Sequence, residues 1–254
     1  MSYSSVFASI MKPLLEPEGY KRKGSELYCY KPEEQIVKVV RLDMMHGNRA
    51  FRLEFGVGCF ADEIVLGSGK QKRLALAALD ISWYLGRRGK EQLDNLNWRE
   101  ENGDVIAYLE EDFREKMMKN AAVFMQELYP EFSRICDVES LYAFRKYDNA
   151  LSSRSKSGFA PSHALLYEAI QCGRMDEAKL IMDEIWENWK KALPIFFADL
   201  DRILVAPISK TERDIVELHD LKTRVQNEDM EWLNGRLGER IEASRTVCKT
   251  FFGQ

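Results

Sequence analysis

The feature that most constrains the fold is a strict alternation of residue types in the segment that ends at Cys59. Every second residue of this segment is apolar, namely Phe51, Leu53, Phe55, Val57 and Cys59. A period of two is that of a β-strand, because successive side chains of a strand point to opposite faces of the sheet. We therefore predict a strand that buries one face, with Arg52 and Glu54 on the opposite, more exposed face.

Further strands are predicted on both sides of this one. Residues 27–31 are rich in aromatic side chains and residues 36–42 in valine, and both compositions favour strands. A turn at Gly47 and Asn48 leads into the alternating segment. Residues 74–85 fit either a helix or a strand, and we favour a fourth strand over residues 79–85. The short connections predict an antiparallel meander.

Helical spacing of apolar residues predicts the remaining elements. It indicates a first helix over residues 6–15, which Pro13 kinks or divides, and a long helix from Asp104 to Leu128 that Pro130 ends. The predicted fold class is α+β, in which an N-terminal helix and an antiparallel meander sheet of three or four strands precede helices and an all-helical C-terminal part.

Three regions follow from this pattern. Residues 148–162 are polar and lack periodicity, which is typical of a linker or mobile loop. We therefore predict an α+β domain over residues 1–147, the linker, and a helical region over residues 163–254. The helical region is predicted to contain a hairpin at Gly173.

Composition excludes several classes of protein. The 254 residues are 45% hydrophobic and carry a formal net charge of -4, so no global positive field would attract nucleic acid or an anionic membrane. No basic stretch followed by an apolar run opens the chain, and no segment reaches the roughly twenty apolar residues that span a bilayer. A cytoplasmic protein without a membrane partner is predicted. The five cysteines lie far apart without a C-x-x-C pair, which argues against disulfides or a zinc site.

One group of residues suggests metal chemistry. His163 and the dipeptide His219-Asp220 resemble part of the ligand set of metal-dependent phosphohydrolases of the HD type, but the set is incomplete. A metal-dependent phosphohydrolase, or another small hydrolase, is therefore the alternative function. No serine, cysteine or histidine lies in a recognisable catalytic context, so we assign no catalytic residue and expect no cofactor.

The most unusual local segment in this acidic chain is basic and aromatic. Lys21, Arg22 and Lys23 are followed by Tyr28 and Tyr30. Clustered cations attract anionic partners. Tyrosine rings can stack on the bases of a nucleic acid. These five residues are the predicted partner-binding residues. The predicted partner is an acidic protein, with nucleic acid as the lesser option.

The same N-terminal region resembles a known family. The helix through Met11-Lys12-Pro13-Leu14-Leu15, the segment Gly19-Tyr20-Lys21-Arg22-Lys23-Gly24, an aromatic strand and the strand from Phe51 to Cys59 are similar to a bacterial family, domain of unknown function forty-three-oh-four. The likeness covers roughly the first half of the chain. It implies a small cytosolic α+β domain, related to proteins that look like immunity proteins against the toxins of neighbouring cells, and it brings no catalytic residues. The leading prediction is therefore a non-catalytic protein-binding or immunity-type protein of a bacterial cytosol.

Overall fold

A computed structural model of the chain describes residues 2–30, 35–62, 64–66, 74–75, 78–80, 97–154 and 163–253. The chain forms two compact units. The first comprises Met1–Phe60, Ile64–Leu141 and Thr246–Gln254, and the second comprises Ala61–Glu63 and Tyr142–Arg245. The fold is α+β, as predicted from the sequence. None of the helices that the structure describes is long and apolar enough to cross a membrane.

The first unit begins with a helix and an antiparallel meander. These elements are α1 (Tyr3–Leu15), β1 (Tyr20–Arg22), β2 (Leu27–Tyr30), β3 (Ile36–Met45) and β4 (Ala50–Cys59). Pro13 does not divide α1, which runs as one helix through it. The Ser2 side chain caps the start of this helix. The turn between β3 and β4 has positive φ at His46, Gly47 and Asn48, which confirms the predicted turn.

Short strands complete the sheets of this unit. They are β5 (Val65–Leu66), β6 (Leu74–Ala75), β7 (Ala78–Asp80), β8 (Asn97–Trp98), β9 (Glu100–Glu101) and β10 (Asp104–Val105). Among the described residues, the main sheet has the order β1-β2-β3-β4-β7, and β8 also pairs with β4. A strand next to β4 is therefore present, but residues 81–85 of the predicted fourth strand lie outside the described residues.

The predicted inner face of β4 is confirmed. Phe51, Leu53, Phe55 and Val57 are all buried. The ring of Phe55 packs edge-on against Phe132, with the ring centroids 5.1 Å apart. The opposite face differs from the expectation of exposure, because Glu54 is also buried and pairs with Arg41 of β3 at 2.5 Å. A cross-strand cation thus replaces solvent as the partner of this carboxylate.

The long helix of the first unit starts later than the sequence predicted. It consists of α2 (Glu110–Val123), a π-helical turn (Phe124–Leu128) and α3 (Tyr129–Ser133). The predicted start at Asp104 is wrong, because Asp104 and Val105 pair with β9 in a hairpin. Asn102 and Gly103 both have positive φ at its turn, and Asn-Gly is the strongest short signal for such a turn.

Pro130 does not end this helix, contrary to the prediction. It lies in the first turn of α3, where the missing N–H is tolerated. The preceding turn widens, and the Tyr129 amide donates a hydrogen bond to the Phe124 carbonyl oxygen five residues earlier. A π-turn of this kind lets the helix continue to Pro130, which has no N–H to donate to the helical hydrogen-bond pattern.

The second unit is helical. Its elements are α4 (Val138–Arg154), α5 (His163–Gln171), α6 (Met175–Ala192), α7 (Pro194–Phe197), α8 (Leu200–Val205), α9 (Lys210–Gln226) and α10 (Met230–Phe252). Positive φ at Gly173 marks the predicted hairpin between α5 and α6. The Ser209 hydroxyl and the Glu212 carboxylate cap the start of α9 reciprocally.

The division of the chain differs from the predicted domain boundaries. The boundary between the units falls within α4, after Leu141, and again within α10, before Thr246. Residues 148–154 of the predicted linker continue α4 as helix, and residues 155–162 lie outside the described residues.

A buried ion triad lies in the second unit. Arg145 of α4 donates from Nη1 to Glu168 Oε1 at 2.5 Å and from Nη2 to Asp62 Oδ2 at 2.7 Å. The Glu168 side chain is fully buried. Burial raises the pKa of Glu168, the Asp62 charge acts in the same direction, and the Arg145 charge opposes both. Arg145 therefore bridges the two carboxyl groups.

Candidate functional site

The predicted basic segment lies on β1, which is the end strand of the main sheet among the described residues. Lys21 and Arg22 are exposed. Arg22 Nη2 donates to the Ser25 carbonyl oxygen at 3.0 Å. The Lys23 Nζ atom instead lies 5.8 Å and 5.6 Å from the ring centroids of Phe251 and Phe252 at the end of α10. Two of the three cations are therefore open to a partner, whereas Lys23 packs on aromatic rings.

The two predicted stacking tyrosines have different environments. Tyr28 is fully buried, and its ring centroid lies 5.8 Å from that of Phe7 in α1. The prediction that Tyr28 contacts a partner is not supported, because α1 covers the face of the sheet on which it lies. Tyr30 is half-buried and packs edge-on against Tyr20, with the ring centroids 5.4 Å apart. Its ring lines a cavity.

This cavity, which we call the Lys38 pocket, has a volume of about 420 Å³. The sheet contributes Tyr20, Tyr30, Ile36 and Lys38. The helical side contributes Tyr129 and Ser133 of α3 and the connection formed by residues 135–137. The volume lies within the roughly 300–1,000 Å³ of pockets that bind small molecules.

Strand register brings three of these side chains into one row. Tyr20 of β1 lies directly opposite Tyr30 of β2, and Tyr30 lies opposite Lys38 of β3. Directly opposed residues point to the same face of a sheet, and neighbouring strands are about 4.8 Å apart. The row therefore directs two phenols and one amine to the same side. Gly19, at φ +89°, permits this arrangement, because a Cβ atom there would lie 3.0 Å from the Tyr30 ring.

Lys38 is a buried amine. It is 7% exposed, and its Nζ atom donates to the Ser133 carbonyl oxygen at 3.1 Å. The same atom lies 5.7 Å and 5.5 Å from the ring centroids of Tyr30 and Phe132. Within the described part of the chain, no carboxylate forms an ion pair with it. Burial lowers the pKa of Lys38, and the neighbouring Cys136 opposes this change.

A second polar atom of the pocket also lacks a partner. The Tyr20 hydroxyl is buried and has no hydrogen-bond partner among the described residues, while the residue as a whole is 3% exposed. Burial raises the pKa of Tyr20, so its hydroxyl keeps its proton and can donate it. The Tyr28 hydroxyl is also buried without a partner, but Tyr28 does not line the pocket.

The two carboxylates of the pocket already have donors. Glu18 Oε2 accepts a hydrogen bond from the Tyr129 hydroxyl at 2.9 Å. Asp137 Oδ1 accepts from the Ser140 hydroxyl at 2.6 Å and from the Ser140 amide at 2.7 Å. These hydrogen bonds lower the pKa of Asp137 and cap the start of α4. Neither of these two carboxylates forms an ion pair with Lys38 among the described residues.

The residues of the predicted metal site lie in the second unit. His163 and Asp220 line one cavity of about 590 Å³ together with Trp189 and Trp232. The His219 ring instead lies 5.6 Å from Trp186, since consecutive residues of a helix do not face each other. Among the described residues, no cluster with metal-ligand distances contains His163, His219 or Asp220. The geometry gives the phosphohydrolase alternative no ligand set.

Lys38 and Tyr20 were missed as site residues by sequence reasoning. The signal for Lys38 was its position between apolar neighbours, Val37 and Val39, in a valine-rich strand. A lysine is almost never buried without a partner, so a lysine in such a strand marks either an exposed edge or a site. Only the register of β1 and β2 against β3 shows that Lys38 lies in a pocket and not at an exposed edge.

Comparison with known proteins adds no relative. No family model matches the chain, and neither a curated protein nor a solved structure is significantly similar to it.

Proposed function

We propose that the chain is a non-catalytic binding protein whose Lys38 pocket takes up a small organic anion. The observation that carries this proposal is the buried Lys38 amine, which has one carbonyl partner and no carboxylate among the described residues. A buried ammonium group without a counter-charge is costly, and an anion in the cavity would remove that cost. Lys38 donates one of its three N–H bonds to Ser133, so two remain for a ligand.

Thermal unfolding with added anions tests this function. Acetate, benzoate and inorganic phosphate are added at constant ionic strength, and at least one should raise the Tm, since a ligand at about 100 times its Kd stabilises the folded state by about 2.7 kcal/mol. Lys38→Met should lose this response while remaining folded, because replacing a buried charge with an apolar side chain of similar volume is often neutral. Cys136, an exposed free thiol that lines the pocket, gives a second readout through protection from a thiol reagent.

Lys119→Met is the matched control, since Lys119 is exposed on α2. It should respond to anions like the unmodified protein. A Tm that no anion raises, or an equal response in Lys38→Met, would contradict the proposal.

Anion affinity should fall as pH rises. Burial lowers the pKa of Lys38 below its ordinary value of 10.5, whereas a bound anion favours the ammonium form. Below the pKa of Lys38 in the free protein the amine is charged in both states, so affinity is constant. Above it, binding takes up a proton, and affinity falls about tenfold per pH unit. Lys38→Arg keeps its charge and should show a flat profile if it binds; an unmodified protein with a flat profile up to pH 10.5 would contradict the assignment.

A second candidate function is recognition of an acidic protein partner by Lys21 and Arg22. The specific observation is that both cations are exposed on an end strand of a chain with a net charge of -4. Such a patch steers association with a negative surface. An immunity-type role, which the family resemblance implies, would use this surface.

Charge reversal tests the second candidate. With a partner captured by pull-down, Lys21→Glu combined with Arg22→Glu should slow association at low salt at least about tenfold and flatten its salt dependence. Lys23 is left unchanged because it packs on Phe251 and Phe252. Lys119→Glu, an exposed charge reversal outside the patch, is the control. Equal association rates for the double variant and the unmodified protein across salt concentrations would rule out this surface.

A further inference from the structure

The walls of the Lys38 pocket indicate which anion it accepts. Three tyrosine rings line the cavity, and the Tyr20 ring centroid lies 5.4 Å from that of Tyr30 and 6.5 Å from that of Tyr129. Ile36 and Ile135 add apolar surface. Aromatic rings prefer tilted or edge-on neighbours at about these separations. The cavity lining thus combines aromatic and apolar side chains with polar groups, so a ligand with both a ring and an anionic group would fit it better than a bare inorganic ion.

The charge of the pocket sets a limit on the charge of the ligand. Lys38 is the cation among the described lining residues, and the carboxylates of Glu18 and Asp137 lie in the same lining. The hydrogen bonds from Ser140 keep Asp137 ionised by lowering its pKa. A single negative charge is matched by the Lys38 ammonium group. A second negative charge would find no second cation among the described lining residues and would be repelled by these two carboxylates.

The hydrogen-bond donors fit a planar group with two oxygens. Lys38 and Tyr20 lie in the same cross-strand row, with Tyr30 between them. Both groups have donors without a described acceptor, two N–H bonds on Lys38 and the buried hydroxyl of Tyr20. A carboxylate bound between them would accept from Lys38 with one oxygen and from Tyr20 with the other, and one group would then satisfy both donors.

We infer that the ligand of the Lys38 pocket is an aromatic monocarboxylic acid, bound with its carboxylate between Lys38 and Tyr20 and its ring among the tyrosines. This inference rests on the proposed function and narrows it to one chemical class. Monocarboxylates with an aromatic ring match the single cation, the paired donors and the walls together. Aromatic phosphate monoesters match the donors and the walls as well, but they carry a second negative charge near pH 7.

Titration calorimetry at fixed ionic strength and pH 7 tests the inference with four probes. Benzoate and phenylacetate should each bind at least about tenfold more tightly than acetate, which lacks the ring, since a buried aromatic ring contributes more than 1.4 kcal/mol. Both should also bind at least about tenfold more tightly than phenyl phosphate, which carries the second charge. Lys38→Met should abolish binding of both aromatic acids.

Tyr20→Phe removes the second donor without changing the ring. It should weaken benzoate binding about ten- to hundredfold, as expected for one hydrogen bond to a charged group. Tyr28→Phe is the matched control, because it removes a buried hydroxyl that also lacks a partner but lies outside the pocket. It should leave benzoate affinity unchanged.

The possible results separate the inference from the proposed function. If phenyl phosphate or acetate binds as tightly as benzoate in a Lys38-dependent way, the ligand class is wrong and the anion-binding function stands. If Tyr20→Phe and Tyr28→Phe weaken benzoate binding equally, the placement of the carboxylate is wrong. If none of the four probes binds and inorganic phosphate does not raise the Tm either, both the ligand class and the proposed function fall.

Discussion

Phe55→Ala should lower the free energy of unfolding by about 3 to 5 kcal/mol, which is the usual loss for a fully buried phenylalanine. Phe55 is 1% exposed at the centre of β4. Its backbone pairs with Val40 on one side and Leu79 on the other. Its ring packs against Phe124 and Phe132, so truncation removes contacts to the helical layer as well as area from water.

Urea unfolding followed by circular dichroism measures the overall loss, and hydrogen exchange read by mass spectrometry localises it. Peptides of β3 and β4 should exchange faster in the variant, because their protection depends on the stability of this unit. Phe196→Ala is the control, since Phe196 is partly exposed in the short helix α7. It should cost less than about 1.5 kcal/mol. Equal effects of the two substitutions would mean that β4 is not the core strand of the sheet.

The meander was predictable because its signals are local. Alternation from Phe51 to Cys59 requires one buried face, and Gly47-Asn48 supplies a turn between strands of matching length. Burial of Glu54 was not predictable in the same way. It depends on Arg41, which lies thirteen residues away in sequence but directly opposite in β3. A single sequence does not contain the register that brings them together.

Helix ends were predicted less well, and each error has a physical cause. The apolar pattern from Val105 onward has helical spacing, but the Asn102-Gly103 turn competes for Asp104 and Val105 and places them in a hairpin. Pro130 was taken as a stop, although a π-turn lets the chain continue through it. In both cases a specific local geometry overrides periodicity.

The candidate site was predicted only at its edge. The basic and aromatic segment led to β1, and Tyr30 of that prediction does line the pocket. Lys38 and Tyr20 join it through strand pairing. Tyr129 joins it from α3, and Cys136 and Asp137 join it from the connection after α3, about one hundred residues later in the chain. Neighbours in sequence can also be separated in the structure. His219 and Asp220 are consecutive residues, and they therefore lie on different faces of α9.

Arg145→Ala should lower the free energy of unfolding by about 3 to 5 kcal/mol, as is typical when one partner of a buried ion pair is removed. Arg145 pairs with both Asp62 and Glu168, at 2.7 Å and 2.5 Å. Its loss removes the cation that lowers the pKa of the fully buried Glu168, so more of the cost of burying this carboxyl group is left uncompensated. Fluorescence of Trp186, Trp189 and Trp232, which lie in the same unit, follows its unfolding.

The deficit of Arg145→Ala should depend on pH in a defined direction. Burial raises the pKa of Glu168 above its ordinary value of 4.5, so the folded state holds this proton more tightly than the unfolded chain. The contribution of Glu168 to stability is therefore complete below pH 4.5 and is lost as pH rises to the raised pKa of about 9. Removing Arg145 raises that pKa further, so the deficit should be constant between pH 5 and pH 8 and should grow above about pH 9.

Two further variants control this result. Glu168→Gln, added to Arg145→Ala, should recover stability near pH 8 because the amide carries no charge and binds no proton. Arg245→Ala, which breaks an exposed pair with Glu242, should cost less than about 0.5 kcal/mol at every pH. A deficit for Arg145→Ala as small as that of Arg245→Ala, or one that does not grow above about pH 9, would contradict the role of Arg145 beside Glu168.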